Sequence, residues 1–204
     1  NVSNCLAAIA ACKAMDIDVA TSAAALADVS TVPGRLERVV CTDGGEAPAA
    51  KLGFDVFVDY AHTDDALENV LSALKPIDHR RVVLVFGCGG DRDRTKRPRM
   101  AKVAESLAER IIVTSDNPRG EEPQAIIGDI LDGFSAAGRE AVCVEADRAA
   151  AIQRAISEAA PGDLVLIAGK GHENYQVIGS ERKHFDDAEV AAACIRRRVR
   201  ERRT

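Results

Sequence analysis

The chain has 204 residues, 47% of them hydrophobic, which is enough for one ordinary domain with a short additional segment. Its formal net charge of −5 gives no general attraction to nucleic acid or to an anionic membrane, so we expect neither as a partner. No apolar run approaches the ~18 residues that span a bilayer, and we expect no membrane insertion. The six cysteines form no C-x-x-C pair and no metal-ligand spacing, which is typical of a cytoplasmic protein.

Two helical patterns open the chain. Apolar residues recur at helical spacing from Ser3 to Met15, and the run from Ala24 to Ala27 predicts a second short helix. Because this pattern begins at once, without an initiator methionine, we interpret the chain as a fragment of a longer protein.

Short apolar, β-branched runs then predict strands, most of them buried. They are Arg38 to Thr42, Phe54 to Asp59, Arg81 to Phe86, Ile111 to Thr114, Ala141 to Val144, Leu164 to Ala168 and Tyr175 to Ile178. Helical patterns alternate with them at Asp64 to Leu74, Pro98 to Glu109, Pro123 to Ala136, Asp147 to Ala159 and Asp186 to Arg200. Asp147 can cap its helix, and Pro98 and Pro123 fit a first helical turn. The alternation predicts an α/β fold, with a doubly wound, mostly parallel sheet and helices on both faces.

Polar or glycine-rich loops follow four of the predicted strands. Their sequences are Asp59-Tyr60-Ala61-His62-Thr63, Gly87 to Arg92, Ser115 to Arg119 and Gly169 to Glu173. Ligands of such sheets bind at the carboxyl ends of the strands, so these loops are the candidate site.

The Gly87–Gly90 loop lacks the third glycine of the dinucleotide fingerprint, and Lys96 is not in a phosphate-loop motif. A NAD-type site is therefore disfavoured. A plain glycine turn is the alternative to a binding loop, but the alternating charges of residues 91–97 favour binding. Arg97, just before Pro98, could offer a bidentate fork to a carboxylate.

The segment Asp116-Asn117-Pro118-Arg119 could bind a zwitterionic amino acid, with Arg119 on the carboxylate and Asp116 on the ammonium. An Asx-type turn is the simpler alternative. In the next loop Glu173 could accept hydrogen bonds from an ammonium, although a flexible turn between strands explains its glycines equally well. His62, His172 and Glu173 show no tight metal-ligand spacing. The basic residues 196–202 fit a solvated last helical turn better than a nucleic-acid arm.

Taken in order, seven segments resemble the Mur ligases. They are Asn1 to Ala8, Val32 to Glu37, Asp59 to Thr63, Gly87 to Pro98, Asp116 to Arg119, Gly169 to Glu173, and Phe185 to Asp187. The resemblance implies that residues 33–204 form the Rossmann-like C-terminal domain of this family, and that residues 1–32 are the helical end of its central ATP-binding domain. Asp64 departs from the family, which often has proline there.

The resemblance also implies roles for individual residues. Asn1 and Asn4 would contact adenine, Arg35 the terminal phosphate of ATP as the catalytic residue, and Asp59 the ribose, with His62 shaping the nucleotide site. The Asp116–Arg119 segment matches the signature for addition of diaminopimelate instead of lysine. The residues expected to hold diaminopimelate are Arg97, Asp116, Asn117, Arg119, Gly169 and Glu173.

The implied reaction joins meso-diaminopimelate to UDP-N-acetylmuramoyl-L-alanyl-D-glutamate through an acyl phosphate, with release of ADP and phosphate. Mg²⁺ would balance charge, and its ligands are expected in upstream Mur ligase domains, with no metal site in this chain. Without the upstream phosphate loop, we expect no turnover by these 204 residues alone. We expect a monomer. The alternatives are a sister ligase that adds lysine or another amino acid, and a non-catalytic α/β binding module.

Overall fold

The computed structural model describes residues 2–29, 32–40 and 52–202. Contacts divide the chain into two compact units, Asn1–Val32 and Pro33–Thr204. Within the described ranges, no helix combines the length and the apolar character needed to cross a membrane.

The first unit contains helices α1 (Val2–Ala14) and α2 (Val19–Ala27). The second helix begins earlier than the sequence pattern predicts, because the Asp18 carboxylate caps it by accepting a hydrogen bond from Thr21 N at 3.0 Å. Of the described residues in these two helices, Ser22 alone is buried.

The second unit is built on a sheet whose strands are β1 (Glu37–Arg38), β2 (Asp55–Asp59), β3 (Arg81–Phe86), β4 (Arg110–Val113), β5 (Cys143–Val144) and β6 (Asp163–Ala168). Their order is β1-β2-β6-β3-β4-β5. The short β1 is antiparallel to β2, and every other pairing is parallel. The carboxyl ends of β2, β6, β3 and β4 therefore lie side by side at one edge.

Helices cover both faces of this sheet. They are α3 (Asp64–Leu74), α4 (Lys96–Leu107), α5 (Pro123–Leu131), α6 (Ala136–Ala141), α7 (Arg148–Glu158) and α8 (Asp187–Glu201). Successive strand residues point to opposite faces: Val83 and Val85 pack with α7 and α8, whereas Leu84 and Phe86 pack with α3, α4 and α5. The predicted doubly wound, mostly parallel sheet is confirmed, and so is the Asp147 cap, which accepts from Ala150 N at 3.0 Å.

A separate hairpin, β7 (Tyr175–Ile178) and β8 (Glu181–His184), follows the sheet. The strand predicted from Tyr175 to Ile178 is confirmed as β7, which is only partly covered, whereas β8 is exposed. The polar sequence of β8 carries no strand pattern, so it was not predicted. The hairpin contacts the loop after β4, since Arg119 N donates to Val177 O at 3.0 Å.

The helix predicted from Pro123 to Ala136 ends at Leu131, and a separate helix, α6, begins at Ala136. The chain turns at Gly133, where an added Cβ would lie 2.1 Å from Pro98 O, so only glycine allows this close approach. The new helix α6 is capped by Ser135, whose side chain accepts from Gly138 N. The strand predicted from Ala141 shortens accordingly to β5. The strand predicted from Arg38 to Thr42 is observed as β1 at Glu37–Arg38, and Val39 and Val40 are not part of it. Cys41 and Thr42 lie outside the described residues.

Candidate functional site

Loops after β2, β3, β4 and β6 meet at the carboxyl edge of the sheet and enclose an open cavity of about 390 Å³. The predicted site residues that line it are His62, Asp116, Asn117, Arg119, Gly169 and Glu173. Residues that the sequence interpretation did not select also line it, among them Tyr60, Arg92, Lys96, Arg99 and Tyr175. The cavity walls are predominantly polar and carry charges of both signs.

A buried lysine organises the floor of this cavity. The Lys170 side chain has no exposed surface, and its Nζ lies 3.2 Å from Asp116 Oδ1, 3.2 Å from Asn117 Oδ1 and 2.6 Å from Tyr175 O. Burial lowers the pKa of Lys170, and the neighbouring Asp116 carboxylate opposes that shift. The lysine was noted in sequence only as part of a turn, because nothing local indicates that β7 will close over it.

These contacts fix the orientation of the Asn117 amide. Its Oδ1 accepts from Lys170 Nζ and from Val177 N at 2.9 Å, so its Nδ2 must face the opposite side. There Nδ2 donates to Glu173 Oε2 at 3.0 Å. Asn117 therefore holds the Glu173 carboxylate against the Asp116 side of the cavity.

Arg119 brings a guanidinium to the same cavity. It has a left-handed backbone conformation, with φ of 52°, and its carbonyl accepts from Gly179 N at 2.8 Å. Its Nη1 donates to Gly90 O at 2.9 Å and lies 3.4 Å from Asn117 O. No hydrogen bond within the described part of the chain uses its Nε or Nη2, so these donors can serve a ligand carboxylate.

Arg97 lies elsewhere. Its side chain is fully buried, and its guanidinium binds Glu121 through both Nη atoms, at 2.8 and 3.0 Å, and Asp129 at 2.7 Å. It does not line the cavity. Helix α4 begins at Lys96, two residues before the predicted start, so Arg97 lies in its first turn and points inward.

Arg92 is the arginine of this loop that lines the cavity. It is exposed, and its Nη1 donates to Asp91 O at 2.9 Å. The alternating charges of residues 91–97 were recognised as a candidate binding segment, but the pattern alone does not show which of its arginines faces the cavity.

A second group of predicted residues surrounds Tyr60. The Arg35 guanidinium carbon lies 4.7 Å from the centroid of the Tyr60 ring, and the rings of His62 and His172 lie 4.6 and 5.3 Å from it. An added Cβ at Gly34, whose φ is 68°, would lie 2.1 Å from His172 N. The loop that bears Arg35 is therefore packed directly on the loop that follows β6.

Asp59 connects these elements through its carboxylate. Its Oδ2 accepts from Leu36 N at 2.6 Å and its Oδ1 from Ala61 N at 2.8 Å. Burial raises the pKa of Asp59, while the two backbone hydrogen bonds and Arg35 partly offset that shift. Asn4 lies on α1 of the first unit, and Asn1 lies outside the described residues.

Two other kinds of chemistry gain no support from the described residues. No group of three or more His, Cys, Asp or Glu side chains in them is arranged to hold a metal ion. Burial raises the pKa of Cys88 to about 12, which keeps the thiol protonated beside Met100.

Comparisons with known proteins show which family this chain belongs to. Residues 34–171 match the family model described as Mur ligase, glutamate ligase domain. The UDP-N-acetylmuramoyl-L-alanyl-D-glutamate–2,6-diaminopimelate ligase of Synechococcus elongatus is 51% identical over 198 residues, which are 97% of this chain and 38% of that protein. The ligase of the same name from Thermosynechococcus vestitus is 48% identical over 201 residues, covering 98% of this chain and 39% of its own length.

Solved structures give the same result. A structure of a UDP-N-acetylmuramoyl-L-alanyl-D-glutamate–2,6-diaminopimelate ligase aligns with a TM-score of 0.72 and 39% identity, covering 97% of this chain and 38% of its own. The UDP-N-acetylmuramate-alanine ligase of Thermotoga maritima, at 19% identity and a TM-score of 0.65, shares the fold over 98% of this chain and 38% of its own. The chain thus spans about two fifths of the length of these relatives. The family model alone matches more than half of the chain. The chain belongs to the Mur ligase family.

Proposed function

We propose that this chain is the amino-acid-binding part of an ADP-forming ligase that adds meso-diaminopimelate to UDP-N-acetylmuramoyl-L-alanyl-D-glutamate. The observation that carries the proposal is the cavity in which Asp116 and Glu173 lie together with the guanidinium groups of Arg92 and Arg119. Relatives that are about 50% identical over almost the whole chain bear the name of this activity.

The cavity suits an amino acid that has ammonium and carboxylate groups at both ends. Asp116 and Glu173 can accept hydrogen bonds from an ammonium, and Arg119 has two donors left for a carboxylate. Arg92 lies on the neighbouring loop, after β3, and can receive a further carboxylate. Gly169, with φ of 122°, brings its backbone to the cavity wall without a side chain. Lysine, which has one carboxylate fewer, would leave one guanidinium without an anion.

Asn117 and Arg97 contribute indirectly in this proposal. The Asn117 amide is occupied by Lys170, Val177 and Glu173, and so it orients the carboxylate that meets the ligand. Arg97 is occupied by Glu121 and Asp129, so it supports the loop instead of contacting the ligand.

The nucleotide is assigned to the second group of residues. Arg35 is an exposed cation next to an aromatic ring, where it can meet a phosphate, and Asp59 and His62 lie on the adjoining loop. Asn1 and Asn4 are proposed as adenine contacts on the family resemblance alone. ATP would supply the phosphoryl group that activates the substrate carboxylate. Mg²⁺ remains an expectation from the resemblance.

The chain's own contribution is positioning. By holding the distal ammonium and carboxylate, the cavity directs the other amine of diaminopimelate toward the activated carboxylate. Arg35 stabilises negative charge that develops on the transferred phosphoryl group. Such contributions come from fixed charges, which fits a site whose polar side chains are already hydrogen-bonded to one another.

The proposal is tested by a coupled ADP-release assay on the full natural polypeptide. We expect ADP release to require ATP, the UDP-linked dipeptide and meso-diaminopimelate together. Release with lysine in place of meso-diaminopimelate would favour the sister ligase. No substrate-dependent release, combined with measurable binding of an amino acid, would favour a binding module and overturn the proposed ligase.

A further inference from the structure

Asp91 and Glu121 join the loop after β3 to the loop after β4 by exchanging hydrogen bonds. Asp91 N donates to Glu121 Oε1 at 2.7 Å, and Gly120 N donates to Asp91 Oδ2 at 3.0 Å. Each loop thus offers a carboxylate to a backbone amide of the other. Two bonds in opposite directions fix the orientation of the loops as well as their distance.

Arg97 stabilises these hydrogen bonds between the two loops by binding a residue of each loop. Its two Nη atoms bind both oxygens of Glu121, and its Nη2 also donates to Gly89 O at 3.2 Å. The guanidinium therefore contacts both loops at once while its side chain is fully buried. These hydrogen bonds hold the pKa of Glu121 well below its ordinary value, at about 2, so the carboxylate is ionised at neutral pH.

The clamp residues adjoin the two cavity arginines in sequence. Arg92 follows Asp91 directly, and Arg119 directly precedes Gly120. Asp91 and Arg119 both have left-handed backbone conformations, with φ of 53° and 52°. Residues with side chains avoid this region, so both loops hold conformations that the surrounding contacts must maintain.

We propose that Asp91, Glu121 and Arg97 form a clamp that sets the separation of the Arg92 and Arg119 guanidinium groups and thereby selects an amino acid with two carboxylates. None of the three clamp residues lines the cavity, so they act as positioning residues. The inference rests on the proposed function, because it takes both arginines to meet the two carboxylates of one ligand.

The test is Glu121→Gln in the full natural polypeptide, with steady-state kinetics for meso-diaminopimelate, lysine and ATP. The amide keeps the size of the side chain but loses the charge that faces Arg97. We expect kcat/KM for meso-diaminopimelate to fall by about 10- to 100-fold, as for other small displacements of positioning groups. The ratio of kcat/KM for meso-diaminopimelate to kcat/KM for lysine should fall as well, while KM for ATP stays within about twofold of wild type.

Glu105→Gln is the matched control. Glu105 lies in α4 and accepts hydrogen bonds from Ser135 N, at 3.0 Å, and from Ser135 Oγ, thirty residues later. Like Glu121, which accepts from Asp91 N, it joins two segments thirty residues apart through its carboxylate. It does not line the cavity. This variant removes a carboxylate charge by the same chemical change. We expect kcat/KM for meso-diaminopimelate, its ratio to kcat/KM for lysine, and KM for ATP all to remain those of wild type.

Arg97→Lys is the second variant, because it keeps the buried charge and loses the planar fork that contacts both loops. Unfolding midpoints of every variant separate loss of folding from loss of selectivity. Folded Glu121→Gln and Arg97→Lys proteins with unchanged selectivity would overturn the clamp alone. A wild-type enzyme that does not use meso-diaminopimelate would instead overturn the proposed function, and the clamp's assigned role with it.

Discussion

Arg148 and Asp187 form a bidentate ion pair in which neither side chain has any exposed surface. Arg148 Nε and Nη2 each lie 2.7 Å from an oxygen of Asp187. The remaining hydrogen bonds of the guanidinium reach Ser115 O and Ala168 O, at the ends of β4 and β6. The pair therefore joins the first turns of α7 and α8 to the edge of the sheet that bears the cavity.

Asp187→Asn should destabilise the fold strongly. The amide leaves the buried Arg148 charge without its anion, and removing one partner of a buried pair costs about 3–5 kcal/mol in free energy of unfolding. Urea unfolding monitored by circular dichroism measures the loss. Asp132→Asn is the control, since its pair with Arg139 is exposed and should contribute less than about 1 kcal/mol. Equal losses for the two variants would show that the buried pair has no special role.

Lys170→Met should impair amino-acid binding more than nucleotide binding. Methionine fills a similar volume but leaves Asp116 without its cation. It also removes one of the two hydrogen bonds that Asn117 Oδ1 accepts, so the amide that orients Glu173 is held less firmly. We expect KM for meso-diaminopimelate to rise about 10-fold or more, since a displaced positioning group has effects of that order. KM for ATP should change little.

Lys183→Met on β8 is the control for this substitution, because Lys183 is exposed and pairs with Glu181. Kinetics of both variants in the full natural polypeptide make the measurement. If Lys170→Met folds and keeps the wild-type KM for meso-diaminopimelate, the buried lysine supports the fold alone.

Arg35→Ala should lower kcat and leave KM for meso-diaminopimelate unchanged. Arg35 is exposed beside Tyr60, and it is proposed to stabilise charge on the transferred phosphoryl group. Loss of one such donor typically lowers kcat by about 10²-fold or more. Arg38→Ala removes a neighbouring exposed arginine that pairs with Asp55, and it should be nearly silent. Unchanged turnover in Arg35→Ala would remove this residue from the reaction.

The strands and loops were largely predictable because their signals are local. The strand from Arg81 to Phe86 was predicted with both ends correct, since a continuous apolar run between polar residues is visible in sequence alone. The turn at Gly133 was not, because its cause is a close approach to Pro98, which lies 35 positions away in the sequence (133 − 98).

The candidate site was predicted at the level of loops but not of every side chain. Arg92 and Arg97 lie in one charged run, and Arg97 is buried because it pairs with Glu121 and Asp129, which are distant in sequence. Lys170 looked like part of a flexible turn, and its burial depends on the hairpin that begins at Tyr175. In both cases the information lies in tertiary packing, which no local pattern encodes.

The strongest test of substrate choice is the removal of the Arg119 side chain. Arg119 has φ of 52°, and alanine keeps the Cβ on which the strain of this backbone conformation depends, so Arg119→Ala removes the guanidinium without changing that strain. Loss of the Arg119 guanidinium leaves a ligand carboxylate without its partner. A site built for such a charged group can discriminate between substrates with and without it by ~10³-fold or more. We expect KM for meso-diaminopimelate to rise steeply, its preference over lysine to collapse, and KM for ATP to stay nearly constant.

Arg139→Ala, which removes an exposed arginine on α6, controls for the change in net charge. The measurement is kcat/KM for both amino acids in the full natural polypeptide. If the ratio between them survives in Arg119→Ala, Arg119 is only a turn residue and the assignment of diaminopimelate loses its physical support.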